Sequence, residues 1–303
     1  MNKPKKQKRK INKLNLWAII VSCVAVFAFI CLLIGTIVIY NLIKDRPTLN
    51  LEDFEQTESS VIYDCNDEEV ADLGSVIRQN IEYDELPNCV VDAFVAIEDS
   101  RFFEHNGFDL PRFTKAIIEN IIAMDFAQGG STFTMQLVKN TYFTNDETGE
   151  EAARSGASGV KRKAQEIALA LELEKYQSKQ SIFTSYLNKL NFGGDRNIRG
   201  IQKAAQYYFS KDISEVNIVE SALLAGVINA PNYYNPFYNL EAAQERVGEV
   251  LYQMYHHGYI TKTEYELAKQ VRVEDLLTDP YESSEEGEGI AYQAYIDAVV
   301  RSY

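Results

Sequence analysis

The sequence predicts a mainly α-helical domain tethered by one transmembrane helix, and three observations carry that prediction. The opening MNKPKKQKRKINK holds seven Lys or Arg and no acid. From Leu14 to Ile43 no residue is charged, a run of 30 that is long enough to cross a bilayer. Further on, apolar residues recur at intervals of three and four in VVDAFVAIEDSRFF, RKAQEIALALELEKY and IVESALLAGVINA, which is the helical period.

In chain order, residues 1–13 read as a basic cytoplasmic tail and residues 14–43 as a retained anchor. A secretory signal peptide would have a shorter apolar core and a small-residue cleavage site. IVSC, Ile20 to Cys23, loosely resembles a lipoprotein box, but the apolar run continues well past it. The basic flank places the N-terminus in the cytoplasm, so the chain after Asn41 is expected outside the cell membrane. Residues 44–87 are polar and acidic with short alternating runs such as SSVIYD, and read as an extracytoplasmic stem. Residues 88–272 form the helical domain. Within it DETGEEAARSGASG, Asp146 to Gly159, is small and polar and is expected to be a mobile loop. Pro231 and Pro236, among asparagines and tyrosines, mark a turn-rich stretch. Residues 273–303 read as an acidic linker and a short C-terminal segment.

The net charge is −14, and without the seven N-terminal positives residues 14–303 stand at −21. That argues against nucleic acid, which calls for a basic footprint. Any anionic ligand needs a local basic cluster rather than the overall field. Cys23 and Cys31 lie in the anchor. Cys65 and Cys89 are extracytoplasmic, but two cysteines make no disulfide framework.

Several stretches carry chemistry. In GGSTFTMQLVKN, Gly129 to Asn140, a glycine pair allows a tight turn and a close approach, and Ser131 or Thr132 can cap the helix that follows. Thr132, Gln136 and Lys139 share one helix face, with Phe133 and Leu137 on another. Helix N-termini suit phosphates, although these residues alone favour a capped surface helix. Glu98 ends the apolar stripe Val91, Phe94, Val95; partial desolvation there would favour a base, and pairing with Arg101 is the bland alternative. Glu166 has Leu169, Ala170 and Leu173 as its helical neighbours, with Arg162 and Lys163 one turn back, a pattern that an ordinary ion pair also explains. His105 carries no proton-transfer role in this reading. SGVK, Ser158 to Lys161, fits Ser-x-x-Lys but sits in the expected loop, and TKTE breaks the Lys-Thr-Gly pattern, so no penicillin-reactive domain is read.

Six motifs, AIEDSRFFEHNGFD, GGSTFTMQLVKN, RKAQEIALALELE, YLNKLNFG, RGIQKAAQYYF and ALLAGVINAPNYYNP, stand in the order found in glycosyltransferase family 51. Over about residues 84 to 272 the chain resembles these peptidoglycan transglycosylases, which occur as monofunctional enzymes and as the first domain of class A penicillin-binding proteins. The chain ends soon after the matched region, which fits either. The resemblance implies a lysozyme-like domain with a small membrane-associated lobe, to which AIIENIIAMDFA, Ala116 to Ala127, is similar. It implies lipid II and the growing glycan strand as substrates, the cytoplasmic membrane as surroundings, and cell-wall synthesis proteins as partners. Glu98 matches the family's catalytic base. Glu166 matches its second glutamate, whose part, whether orienting cations, binding acceptor or assisting the leaving group, stays open. Ser131, Thr132, Gln136, Lys139, Arg162, Lys163, Asn188 and Arg199 are the expected substrate contacts. A divalent metal such as Mg2+ on the diphosphate is implied, with Asp99 as its neighbour.

The chain departs from the family pattern at Phe133 and Met135, where GGSTITQQ has Ile and Gln, and at Thr184, where Glu is common. The 146–159 loop is also longer than usual. Both glutamates remain, so polymerising activity is expected, with altered donor handling. The competing readings are a lytic glycan-cleaving enzyme on the same fold type and an inactive wall-assembly scaffold.

Overall fold

The computed structural model describes residues 13–54, 61–63, 69–72, 79–123, 129–144, 156–193 and 198–278. The tail 1–12, Cys65 and residues 279–303 lie outside this set. The described elements are α1 (Lys13–Ile43), β1 (Val61–Tyr63), β2 (Glu69–Asp72), α2 (Asn88–Glu98), α3 (Leu110–Ala123), α4 (Phe133–Tyr142), α5 (Gly156–Leu173), α6 (Lys179–Lys189), α7 (Ile201–Phe209), α8 (Ile218–Val227), α9 (Leu240–His256) and α10 (Lys262–Ala268), with short 3-10 turns between some of them. The fold is mainly α. The two strands pair antiparallel, Val61 opposite Asp72, with a register break after Ile62.

The chain divides into two compact units, Met1–Pro47 with Ala153–Gln165, and Thr48–Ala152 with Glu166–Tyr303. In the first, Trp17–Ile43 is a 27-residue span whose most apolar stretch has a mean hydropathy of 2.9, about 40 Å of helix at 1.5 Å per residue. Its apolar side chains point outward, Phe27 being 70% exposed. Thr36 Oγ1 and Asn41 Nδ2 donate back to the carbonyls of Leu32 and Ile37, each at 2.9 Å, so these polar groups are met within the helix, as a bilayer requires. Just past its end Asp45 accepts from Lys161 Nζ at 2.9 Å. That bond holds the Asp45 carboxyl below its usual range.

Lys161 and Ser158 belong to α5, which begins at Gly156. The last four residues of the expected loop, 156–159, are thus helical, and so is SGVK. Residues 146–155 lie outside the described set.

In the second unit α2 packs on α8 and α9, and α4 on α6. Val90, Ala93, Phe94, Val95 and Ala96 of α2 are buried; of the predicted stripe, Phe94 and Val95 are buried and Val91 is half-buried against the core. α8 is buried nearly all round. It starts on a capping box in which Asn217 and Glu220 satisfy each other's backbone N–H groups, while Lys211 pairs with the buried Glu220 at 2.6 Å. The Cys89 thiol donates to the Val216 carbonyl at 3.4 Å.

Two boundaries move. The 44–87 stem is not separate, because Phe54 and Ile81 are core residues and Tyr142 Oη accepts from the Asn50 N–H at 3.0 Å. At the other end, Val273 is fully buried and Leu276 packs against the core. Single apolar residues in polar company leave no periodic trace, so composition read both segments as linkers.

The departures Phe133 and Met135 are fully buried. Phe133 centres an aromatic cluster, with ring centroids 5.1 Å from Phe102, 5.3 Å from Phe183 and 4.8 Å from Tyr186. A buried Phe contributes about 2 kcal/mol by area, and these rings meet largely edge-on, the favoured arrangement. Thr184, also buried, donates to the Gln180 carbonyl one turn back. All three are packing residues.

Candidate active site

α2 ends at Glu98 because Asp99 leaves helical geometry, with φ −154° and ψ 72°. Asp99 is fully buried. Its carboxylate faces His105 Nε2 at 3.0 Å and Arg112 Nη1 at 3.3 Å, and accepts from the Phe133 N–H at 3.1 Å. One side chain therefore ties the end of α2 to the 101–107 turn, to α3 and to the first residue of α4.

This corrects two expectations. The N-terminus of α4 does not wait for a phosphate: Asp99 takes the N–H of Phe133, and Thr132 Oγ1 takes that of Met135 at 3.2 Å. Its partial positive charge is already met by a carboxylate. Asp99 also does not fit a divalent metal, because three polar groups already occupy its oxygens and no solvent reaches it. Among the described residues no cluster of three or more His, Cys, Asp or Glu stands together.

Thr132 is buried and donates to the Gly107 carbonyl at 2.7 Å, so both of its bonds are internal. It shapes the turn rather than offering a hydroxyl. The glycines have separate reasons. Gly107 has φ +83°, and a Cβ there would meet the Ala170 carbonyl at 2.6 Å; a Cβ on Gly130 would meet the Phe113 backbone at 3.1 Å. Asn188 is likewise corrected. Its amide both accepts from and donates to the backbone of Ile81, at 3.2 and 3.1 Å, which clamps the segment before α2 to α6. Arg199 is buried, and its backbone bridges to Asn191, away from the wall of the Glu98 cleft.

Gln136, expected as a substrate contact, is bonded to Glu98. Its Nε2 donates to Glu98 Oε2 at 2.9 Å, and its Oε1 accepts from Tyr186 Oη at 3.2 Å. Tyr186 is fully buried. Burial, with the charges of Glu98 and Asp99 behind it, pushes its hydroxyl well above the usual phenol range, so it stays a neutral donor. Lys139 follows Gln136 on α4 and is half-buried, as is Ser131 in the turn. Glu166 is buried on α5 within the same unit. Arg162 and Lys163 are half-buried on the part of α5 that belongs to the anchor-bearing unit.

Glu98, half-buried, faces a cleft of about 830 Å3. Among the described residues it is the only carboxylate on that wall, which also carries Arg101, Arg112, Lys115 and Arg246. Arg101 is committed to Asp109 through two bonds, one of 2.9 Å, and Arg246 to Glu249 at 2.7 Å. Lys115 is the most open, its side chain 74% exposed, and it follows Arg112 by one turn of α3. His257 closes the far side; burial, then His256 and Arg112, lower its pKa and keep it neutral at pH 7. Sequence reading missed this basic wall. Arg112 and Lys115 stand outside the stretches it singled out, and Arg246 and His257 come from more than 130 residues further along the chain.

Residues 66–255, more than half of the chain, match the transglycosylase family. Over 255 residues the chain is 42% identical to penicillin-binding protein 1A of Streptococcus oralis, an alignment covering 83% of this chain and 38% of that protein. It is 38% identical to penicillin-binding protein 1A of Streptococcus pneumoniae, covering 89% of this chain and 36% of that protein. With penicillin-binding protein 1A/1B of Bacillus subtilis it shares 34%, over 88% of this chain and 28% of that protein. The chain thus spans about a third of the length of these relatives. A helical domain with Glu98 at the mouth of a basic cleft, and a match of this extent over the segment that builds it, have one common explanation: the chain belongs to the transglycosylase family.

Proposed function

We propose that this chain is a membrane-anchored peptidoglycan glycosyltransferase that polymerises lipid II into β-1,4-linked strands and releases undecaprenyl pyrophosphate. The observation that carries the reading is Glu98, the one carboxylate among the described residues of a basic wall, held by an amide whose own direction is set by a buried tyrosine.

Glu98 removes the proton from the 4-hydroxyl of the acceptor GlcNAc. The freed oxygen attacks C1 of the donor MurNAc from the face opposite the diphosphate. The C1–O bond to the diphosphate breaks with its electron pair, C1 inverts, and the proton rests on Glu98. Diphosphate is already a good leaving group, so a strong general acid is not needed, in contrast to glycoside hydrolysis. The negative charge of substrate and leaving group is met by fixed cations. Arg112 and Lys115 serve on the cleft wall, and Lys139, by its match to the family's motif, serves the donor diphosphate. Ser131 contributes at the glycine turn.

The basic tail places the N-terminus in the cytoplasm and the domain outside. A lipid-tailed substrate diffuses in the membrane plane, so an anchor keeps enzyme and substrate on one surface. Growing strand, membrane and other wall-synthesis proteins are the expected partners.

The test is turnover of purified lipid II by the full chain in detergent. Wild type yields polymer, and Glu98→Gln, which keeps the shape and the contact with Gln136, loses 10²-fold or more, roughly the value of a positioned general base. Undiminished polymer from the variant overturns the assignment of the base, and fragments released from finished glycan in place of polymer favour the lytic reading.

A further inference from the structure

A second cavity, of about 740 Å3, opens along α9 and α10. It continues the Glu98 cleft, because Ile97, Arg246, Tyr252 and Gln253 line both. Arg246 stiffens the shared wall: its guanidinium holds Glu249 and lies 5.4 Å from the centre of the Tyr234 ring. Tyr252 is 49% exposed. One of its faces lies parallel to His256, with centroids 5.9 Å apart and planes 14° apart, and Tyr265 meets it edge-on at 6.5 Å. Gln253 is half-buried, and its side-chain amide makes no hydrogen bond to a described residue. An aromatic ring braced on one side and half open, next to an unused donor and acceptor, thus stands where the two cavities join.

The chemistry narrows the ligand. A purely apolar group would leave the Gln253 amide unmet in a sheltered place. Glu245 and Glu249 balance Arg246 and Lys269 around this cavity, so an anion is better served in the adjoining cleft with its basic wall. A pyranose has an apolar C–H face that lies flat on an aromatic ring and a rim of polar groups that reach an amide. An acetamido substituent offers one donor and one acceptor, the complement of a glutamine side chain. We propose that Tyr252 and Gln253 form a subsite for an N-acetylated pyranose ring adjoining the Glu98 cleft. The transferase reading bears only on where that sugar comes from, the acceptor lipid II or the growing strand.

The binding test uses the β-1,4-linked tetrasaccharide of N-acetylglucosamine and the full chain in detergent, read by saturation-transfer NMR. Wild type is expected to bind it. Tyr252→Ala weakens binding at least fivefold, Tyr252→Phe restores it, and Gln253→Ala reduces transfer to the acetamido methyl. Tyr252 and Gln253 lie outside the core, and coincident thermal melts verify the fold of each variant. Lack of transfer in wild type, or transfer that Tyr252→Ala and Gln253→Ala both leave intact, overturns the proposal. Polymerisation then separates the sources. A raised KM for lipid II with strand length unchanged in Tyr252→Ala assigns the subsite to the acceptor, and shorter strands at the same KM assign it to the strand. If wild type binds the tetrasaccharide but makes no polymer, the transferase reading falls and the subsite stands. Polymer formation without Tyr252-dependent sugar binding has the reverse meaning.

Discussion

Gln136 has an amide whose two ends differ chemically, and its usefulness to Glu98 depends on which end faces the carboxylate. Tyr186 decides this. A neutral, buried hydroxyl donates to Oε1 and so leaves Nε2 turned toward Glu98. Without that donor the amide is free to turn, and its carbonyl then faces a like-charged oxygen. Tyr186→Phe keeps the ring in its cluster and removes one hydrogen bond, worth about 1 kcal/mol. Initial rates with lipid II should show kcat/KM reduced roughly fivefold, the same energy read as a rate, while the thermal melt keeps a single transition. An unchanged rate would mean that Gln136 needs no such guide. The sequence had placed Gln136 on the right face of its helix, but it offered no sign of Tyr186, which lies 50 residues on.

At the scale of elements, the site depends on a joint between the turn at Gly107, the start of α4 and the body of α5. Gly107 takes a left-handed backbone, and its missing Cβ admits the Ala170 carbonyl, while Thr132 ties its own carbonyl down. Gly107→Ala therefore combines backbone strain with a steric clash and should cost about 2–3 kcal/mol. Thr132→Val loses a cap and a donor and should cost about 1–2 kcal/mol, with Thr132→Ser recovering most of it. Urea unfolding at constant slope reads both. Activity should fall with Gly107→Ala more than stability alone explains, because Asp99 hangs Glu98 from the same joint. The glycine pair and the Thr cap were legible as a turn and a helix start. That the cap leads inward to Gly107, instead of outward to a ligand, was not.

For the whole molecule, the pH dependence of stability follows from buried acids. Burial pushes the Asp109 carboxyl up, but the bonds from Arg101 and from the Arg112 N–H, together with nearby positive charge, outweigh it and leave the pKa lowered. A lowered folded-state pKa means that the unfolded chain binds the proton first. The contribution is complete above the unfolded value, about 3.9, and is lost as pH falls through the folded one. Wild-type unfolding midpoints should fall steeply below about pH 4, and Asp109→Asn should be less stable at pH 7 yet flatter over that acid range. Equal slopes would place the acid sensitivity elsewhere.

The anchor, the helical class and the positions of Glu98, Glu166 and Gln136 could be read from the chain alone, because each rests on an interval of three or four residues or on an unbroken uncharged run. Those signals are local and survive any packing. Tertiary structure alone decided that Asp99 is a buried tie and Asn188 a clamp, that Phe54 and Ile81 belong to the core, and that Arg246 and His257 face Glu98. Each of those facts joins segments distant in sequence, and a contact made only when helices pack leaves no periodic mark in the residues that make it.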